Sequence, residues 1–143
     1  MTNASPLYSR FLGTWILQPH ICEYEQGVPP ASGLYRIGED AGRVRFEIDW
    51  TDVNGEAHHV EFSGAPDGTR AAFAGGELAD EIAVKAISER ELTSYAYWQG
   101  NEIMVAQRQL DDTGQAMRVV QLVRFPDGSH CANTSVYVRA ASS

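Results

Sequence analysis

Apolar and polar residues alternate along most of this chain, in short runs separated by turn residues. The clearest run extends from Arg43 to Trp50, and its apolar members occupy every second position: Val44, Phe46, Ile48 and Trp50. A period of two is typical of a β-strand with one buried and one solvated face. We therefore predict a strand here, with its even-numbered positions directed into a core.

Turn-forming sequences recur about every ten residues along the chain, for example Asp52-Val53-Asn54-Gly55, Pro66-Asp67-Gly68 and Pro126-Asp127-Gly128. Such spacing, with no long helical pattern between the turns, predicts an antiparallel up-and-down meander of about ten strands. The predicted strands are 14–24, 34–37, 43–50, 57–62, 69–73, 81–87, 92–98, 102–110, 115–125 and 130–139.

Two segments depart from the strand pattern. Ser5 followed by Pro6 is a helix-start signal, so we predict a short N-terminal helix that ends before Gly13. The segment from Glu77 to Glu91 is rich in Ala, Glu and Leu and fits a helix as well as a strand. The strand is favoured because the surrounding turns leave room for another hairpin.

An open ten-strand sheet has two bare edges, and closing the first strand onto the last removes them. If Trp15 pairs with Val138, then Thr14 meets Arg139 and Cys22 lies opposite Cys131. We therefore predict an all-β fold in which one closed barrel domain covers residues 1–143.

Charge and composition narrow the possible partners. The 143 residues carry a net charge of −8, which disfavours nucleic acid and anionic membrane surfaces. The N-terminus lacks a secretory signal pattern and no run is long enough to insert into a membrane, so a cytoplasmic protein is expected. Cys22 and Cys131 are expected to be free thiols, and the sequence predicts no cofactor and no metal site. A zinc site of His20, Cys22 and Cys131 is an alternative that lacks a fourth ligand.

Both ends of the chain carry motifs of a known superfamily. They are Phe11-Leu12-Gly13-Thr14-Trp15-Ile16-Leu17 and Thr134-Ser135-Val136-Tyr137-Val138-Arg139. With them the chain resembles the calycins, which include lipocalins and fatty-acid-binding proteins, and more closely a group of short bacterial lipocalin-like proteins of unassigned function. The resemblance implies a barrel in which the first-strand Trp15 packs beside a basic residue of the last strand, here Arg139.

The chain departs from the fatty-acid binders at two places. Their last strand carries an arginine two residues before a tyrosine, and here Ser135 precedes Tyr137 at that spacing. The segment from Glu23 to Gly33 is too short and proline-rich for their two lid helices. The resemblance therefore implies a more open mouth and leaves the ligand undefined.

The candidate ligand-binding residues are those that alternation directs inward. They combine apolar wall with polar groups: Trp15, Phe46, Ile48, Trp50, His58, Val60, Phe62, Trp98, Gln107, Gln121 and Tyr137. Buried polar groups need partners, so this set favours a cavity that holds a small apolar or amphipathic molecule. A filled core in a structural or interaction module is the alternative.

No catalytic signature stands out, and a non-catalytic carrier or sensor, monomeric or homodimeric, is the favoured interpretation. The alternative is an isomerase or cyclase that uses His58 as its acid or base. No inward carboxylate is evident as a partner for His58. Tyr95 and Tyr97, with Arg108 or Arg118 on neighbouring strands, are candidates for an external aromatic patch or for ordinary cross-strand pairs.

Overall fold

The computed structural model describes residues 6–25, 27–73 and 79–140. Within them the fold is almost entirely antiparallel sheet, with 3₁₀ helices at Leu7–Phe11 and Pro19–Ile21. The strands are β1 (Gly13–Leu17), β2 (Glu23–Tyr24), β3 (Ser32–Asp40), β4 (Arg43–Thr51), β5 (Ala57–Gly64), β6 (Ala71–Ala72), β7 (Glu81–Ser88), β8 (Glu91–Trp98), β9 (Asn101–Leu110), β10 (Ala116–Arg124) and β11 (His130–Arg139).

The strands form one nearly closed barrel in the order β5-β4-β3-β1-β11-β10-β9-β8-β7-β6. The predicted meander and the pairing of the first long strand with the last are confirmed. The sheet ends at β5 and at the two-residue strand β6, and β5 closes the barrel where Gly64 lies against Val84 of β7, next to β6. A Cβ atom on Gly64 would stand 2.8 Å from Val84 Cγ2, so only glycine permits this approach.

The predicted register between the first and last strands is wrong by one residue. Trp15 pairs with Arg139, not Val138. The predicted strand 14–24 is also interrupted at Pro19, because proline has no N–H to donate to the sheet. The 3₁₀ helix that follows shifts the register, so Cys22 contacts Val136 (Sγ to N, 3.5 Å) and does not lie opposite Cys131.

The two ambiguous segments are now assigned. The N-terminal helix is a 3₁₀ helix that begins at Leu7, with Pro6 outside it in an extended conformation. Ser5 lies outside the described residues. The strand interpretation of 77–91 is confirmed for Glu81–Ser88, while Glu77 and Leu78 also lie outside the described residues.

One end of the barrel is sealed by the N-terminal 3₁₀ helix and Trp15. The Trp15 indole is fully buried and its Nε1 donates to the Phe11 carbonyl (2.9 Å). Arg139 lies over the indole, with Cζ 4.2 Å from the ring centroid. Its guanidinium donates to the carbonyls of Arg10, Leu12 and Gly114 at 2.6 to 3.3 Å. The packing of Trp15 against Arg139, expected from the resemblance, is therefore present.

Neither 3₁₀ helix is long or apolar enough to cross a membrane, and no other helix occurs in the part of the chain that the structure describes.

Candidate functional site

The barrel holds a cavity of about 420 Å³ that opens at the end opposite Trp15. Apolar side chains form most of its wall. Its lining residues are Tyr24, Val28, Pro30, Tyr35, Ile48, Trp50, Asp52, Val60, Phe62, Ser94, Met104, Ala106, Arg108, Val119, Gln121 and Tyr137. A larger groove of about 690 Å³ lies outside the barrel near Arg90 and Arg118. Because that groove is shallow and open to solvent, we place the candidate site inside the barrel.

Arg108 is the most unusual residue of the cavity. It projects inward from β9 and is only 1% exposed. Its Nε donates to the Tyr35 hydroxyl (2.7 Å) and its Nη1 to the Ala106 carbonyl (3.3 Å). The guanidinium also lies over Phe46, with Cζ 4.4 Å from the ring centroid. None of the described residues places a carboxylate against it.

The charge of Arg108 is therefore only partly compensated. An arginine side chain stays protonated in proteins, and a buried cation without an anion is costly because it has lost its water. Nη2 donates to none of the described residues, and it is not sealed among buried unpaired atoms. This nitrogen can bind a group that enters the cavity.

Two tyrosines stand beside the guanidinium. The rings of Tyr35 and Tyr137 meet edge to face at 5.3 Å between centroids. Burial raises the pKa of the Tyr137 phenol far above its usual value, so this hydroxyl is a permanent hydrogen-bond donor. Burial also raises the pKa of Tyr35, although nearby Arg108 opposes that shift. The Tyr137 hydroxyl has no hydrogen-bond partner among the described residues.

Further polar groups lie between this floor and the mouth. The Tyr24 and Ser135 hydroxyls share a hydrogen bond of 2.9 Å, which ties the short strand β2 to β11. Gln121 Nε2 lies 2.6 Å from the sulfur of Met104. Both pairs satisfy polar groups within the protein. Among the described lining residues, the one buried charge is that of Arg108 at the floor.

The structure brings six of the predicted ligand-binding residues to the cavity wall: Ile48, Trp50, Val60, Phe62, Gln121 and Tyr137. Three others lie elsewhere. Trp15 belongs to the sealed end, and Phe46 is buried beneath Arg108 without lining the cavity. Trp98 is 40% exposed, because it stands at the end of β8 beyond a bulge.

The prediction that Gln107 faces inward is wrong. Even-numbered residues of β9 point into the barrel, so Arg108 lines the cavity and Gln107 faces outward beside Val120. For the same reason Arg108 does not join an external aromatic patch with Tyr95. Sequence reasoning missed Arg108 because charged side chains are almost never fully buried, so an outward position was the natural assumption.

Contrary to the prediction, His58 does not point into the cavity. It pairs with Trp50 at the start of β5, beside the mouth, and its side chain is 39% exposed. The imidazole stacks on Trp50, and its Nε2 lies 2.9 Å from Oδ2 of Asp52. The carboxylate partner that the sequence did not reveal is therefore Asp52. Asp52 lines the cavity at its mouth, but His58 is not among the lining residues, so the position of His58 gives no support to a catalytic role.

Metal-ligating side chains come together at one place in the described residues. Donor atoms of Asp52, Glu56 and His58 lie within 4.8 Å of one another. Asp52 is already engaged there, because its Oδ1 accepts the backbone N–H groups of Asn54 and Glu56. The hydrogen bond from His58 and these backbone hydrogen bonds lower the pKa of Asp52. The same bonds hold Asp52 in place within the β4–β5 turn. The alternative zinc site, with Cys22 opposite Cys131, is not formed.

Comparisons with known proteins bear on the fold. No family model and no curated protein sequence matches this chain. Among solved structures, the zebrafish ileal bile acid-binding protein in complex with cholic acid is similar, with a TM-score of 0.53 and 11% identity over 92% of this chain and 100% of that one. The siderocalin Ex-FABP matches with a TM-score of 0.51 and 10% identity over 94% and 78% of the two chains. The chain therefore has the fold of the calycins.

Proposed function

We propose that this barrel binds one small, largely apolar molecule that carries a single anionic group, a carboxylate or a sulfonate. The protein acts as a carrier or sensor and not as an enzyme. The observation that carries the proposal is Arg108, a buried guanidinium with a free Nη2 at the floor of the cavity.

The chemistry of the floor favours an anion. An anionic group beside Nη2 would neutralise the buried charge and form a charge-assisted hydrogen bond. The Tyr137 hydroxyl, a permanent donor without a partner among the described residues, would give a second hydrogen bond. A neutral ligand would leave the cation uncompensated, and a cationic ligand would be repelled.

The walls favour an apolar body. Ile48, Val60, Phe62, Ala106 and Val119 surround the space above Arg108. A volume of about 420 Å³ lies at the small end of ligand pockets, which span roughly 300–1,000 Å³. The zebrafish protein of similar fold was solved with cholic acid. The cytoplasmic location expected from the sequence stays a prediction.

The test uses a pair of fluorescent probes that share an apolar body and differ in charge. Anilinonaphthalene sulfonate is anionic, and N-phenylnaphthylamine is neutral. Fluorescence titration of the wild type and of Arg108→Met should show that the substitution weakens sulfonate binding by about 10- to 100-fold. Binding of the neutral probe should be unchanged or stronger, because Met fills a similar space without a charge.

Arg36→Met is the matched control, since Arg36 is an exposed arginine on the outer face of β3. It should leave the affinity of both probes unchanged. Competition with decanoate, a simple carboxylate, should displace the sulfonate from the wild type. Equal loss of both probes in Arg108→Met, or no loss of the sulfonate, would reject the anion proposal.

A further inference from the structure

Two parts of the cavity wall differ in chemistry. Strands β8 and β10 contribute the polar side chains of Ser94 and Gln121 to the lining. The lining residues of β4 and β5 carry no oxygen atom in their side chains: Ile48, Trp50, Val60 and Phe62. A molecule in the cavity therefore meets apolar groups on one side and hydrogen-bonding groups on another.

Register places the two polar residues in one row of the sheet. Ser94 of β8 pairs with Ala106 of β9, and Ala106 pairs with Gln121 of β10. The next inward row toward the sealed end contains Arg108, which pairs with Val119. Alternate residues of a strand lie about 7 Å apart. The polar row is therefore one step nearer to the mouth than Arg108.

Both polar side chains have hydrogen-bonding capacity that the described residues do not use. Ser94 is only 7% exposed, and its hydroxyl bonds to none of them. This hydroxyl is not among the sealed unpaired atoms, so it opens into the cavity. Gln121 donates from Nε2 to the Met104 sulfur, but its Oε1 accepts from none of the described residues. Because buried polar groups without partners are unfavourable, a ligand oxygen placed here would gain hydrogen bonds.

The two side chains can share one ligand group. Ser94 and Gln121 are two strands apart, about 10 Å between Cα atoms at the usual strand spacing. The Gln121 amide reaches Met104 on β9, the strand between them, and so lies on the side of Ser94. A hydroxyl group both donates and accepts, so it can donate to Gln121 Oε1 and accept from the Ser94 hydroxyl. A carbonyl group can only accept.

We propose that the ligand carries a hydroxyl group near the middle of its apolar body, on the side that faces β8 and β10. This proposal rests on the anion site, because Arg108 sets the depth at which the acid lies. Ser94 and Gln121 then select a hydroxylated acid over the plain one. An extended alkyl chain covers the step of about 7 Å between the two rows with about six carbons, so the hydroxyl lies near the sixth carbon.

The test compares decanoate with decanoate hydroxylated at its sixth carbon, each displacing anilinonaphthalene sulfonate in a fluorescence titration. In an apolar wall the hydroxyl would weaken binding, because it loses its hydrogen bonds to water. The wild type should instead bind the better enantiomer about 3- to 10-fold more tightly than decanoate. Decanoate hydroxylated at its tenth carbon carries its hydroxyl to the mouth and should show no such gain.

Variants assign the preference to the two side chains. The measured quantity is the ratio of the affinities for hydroxylated and plain decanoate. Ser94→Ala and Gln121→Leu should each reduce this ratio toward one. Gln107→Leu is the matched control, because Gln107 faces outward on β9, and it should keep the wild-type ratio. Circular dichroism checks that each variant is folded.

The outcomes separate this proposal from the anion site. If the wild type binds both acids equally or prefers plain decanoate, the hydroxyl site is wrong and the anion site stands. The same holds if the preference survives in both variants. If the wild type binds N-phenylnaphthylamine but neither acid, the anion site is wrong, and the hydroxyl site is wrong with it.

Discussion

Two arginines, the buried Arg108 and the partly buried Arg139, occupy opposite regions of this barrel, and their surroundings differ. At the sealed end, Arg139 lies on Trp15 and donates to three backbone carbonyls, those of Arg10, Leu12 and Gly114. In the cavity, Arg108 lies on Phe46 and donates to one hydroxyl and one carbonyl. Both guanidinium groups lie over an aromatic ring, but only in Arg139 does each of the three nitrogens have an acceptor.

The difference separates the structural role of Arg139 from the binding role proposed for Arg108. Arg139 joins the N-terminal segment, the β9–β10 turn and the last strand, so its hydrogen bonds hold the closed end together. Arg108 retains an unused donor in an open space, where the proposed anion would complete its local environment. The number of nitrogens that have a hydrogen-bond partner distinguishes the two: three in Arg139 and two in Arg108.

The largest expected effect concerns the tryptophans of the two regions. Trp15→Ala should lower the free energy of unfolding by about 3–5 kcal/mol, because it leaves a void in a fully packed end. Trp50→Ala should cost at least about 2 kcal/mol less, since Trp50 borders a cavity that already exists. Urea denaturation of both variants measures this, and similar losses would show that the two ends are packed alike.

The two arginines should respond differently to the same substitution. Arg139→Met leaves three carbonyls without their donor and should cost about 2–3 kcal/mol of unfolding free energy. Arg108→Met removes an uncompensated buried charge and should leave stability within about 1 kcal/mol of the wild type, or increase it. The same denaturation experiment decides. A loss in Arg108→Met as large as that in Arg139→Met would identify Arg108 as a structural residue.

A smaller effect is expected at Tyr137. Tyr137→Phe removes the unpaired phenol beside Arg108 and should weaken the binding of anilinonaphthalene sulfonate by about 3- to 10-fold. Tyr8→Phe is the control, since the Tyr8 hydroxyl donates to Glu39 at the sealed end (2.6 Å). Fluorescence titration of both variants measures the effect. Equal weakening by the two substitutions would contradict a role for Tyr137 in the cavity.

The smallest effect concerns pH at the mouth. His58 and two backbone N–H groups lower the folded-state pKa of Asp52 below its unfolded value. This carboxylate therefore adds stability above the unfolded pKa of about 3.9, and the contribution is lost as the pH falls through the folded pKa. Asp52→Asn should make stability less sensitive to acid, as urea denaturation between about pH 2 and about pH 6 can measure. An unchanged pH dependence would contradict this.

Much of the fold could be predicted from the sequence. The alternation from Arg43 to Trp50 and the evenly spaced turns indicate the meander, and unpaired edges explain why β1 closes onto β11. The position of Cys22 could not be predicted, because Pro19 interrupts the first strand and a short helix displaces the residues after it. A shift of one residue exchanges the two faces of a strand.

The candidate site was harder to predict, for a physical reason visible in β9. Its odd and even positions both contain apolar residues, Ile103 and Val105 on one face and Met104 and Ala106 on the other. Alternation therefore does not reveal which face is inside, and Gln107 was placed inward in preference to Arg108. In β5, His58 follows the alternation of the inward residues, but it lies at the beginning of the strand. There it is beside the mouth of the barrel and exposed to solvent.

The most direct test of the account is the ionisation of a bound ligand's carboxyl group. Decanoate labelled at its carboxyl carbon can be titrated in the wild-type protein and followed by NMR. If the carboxylate pairs with Arg108, its pKa lies below that of free decanoate, and Arg108→Met raises it. A bound carboxyl group whose pKa equals or exceeds the free value in the wild type would contradict the account.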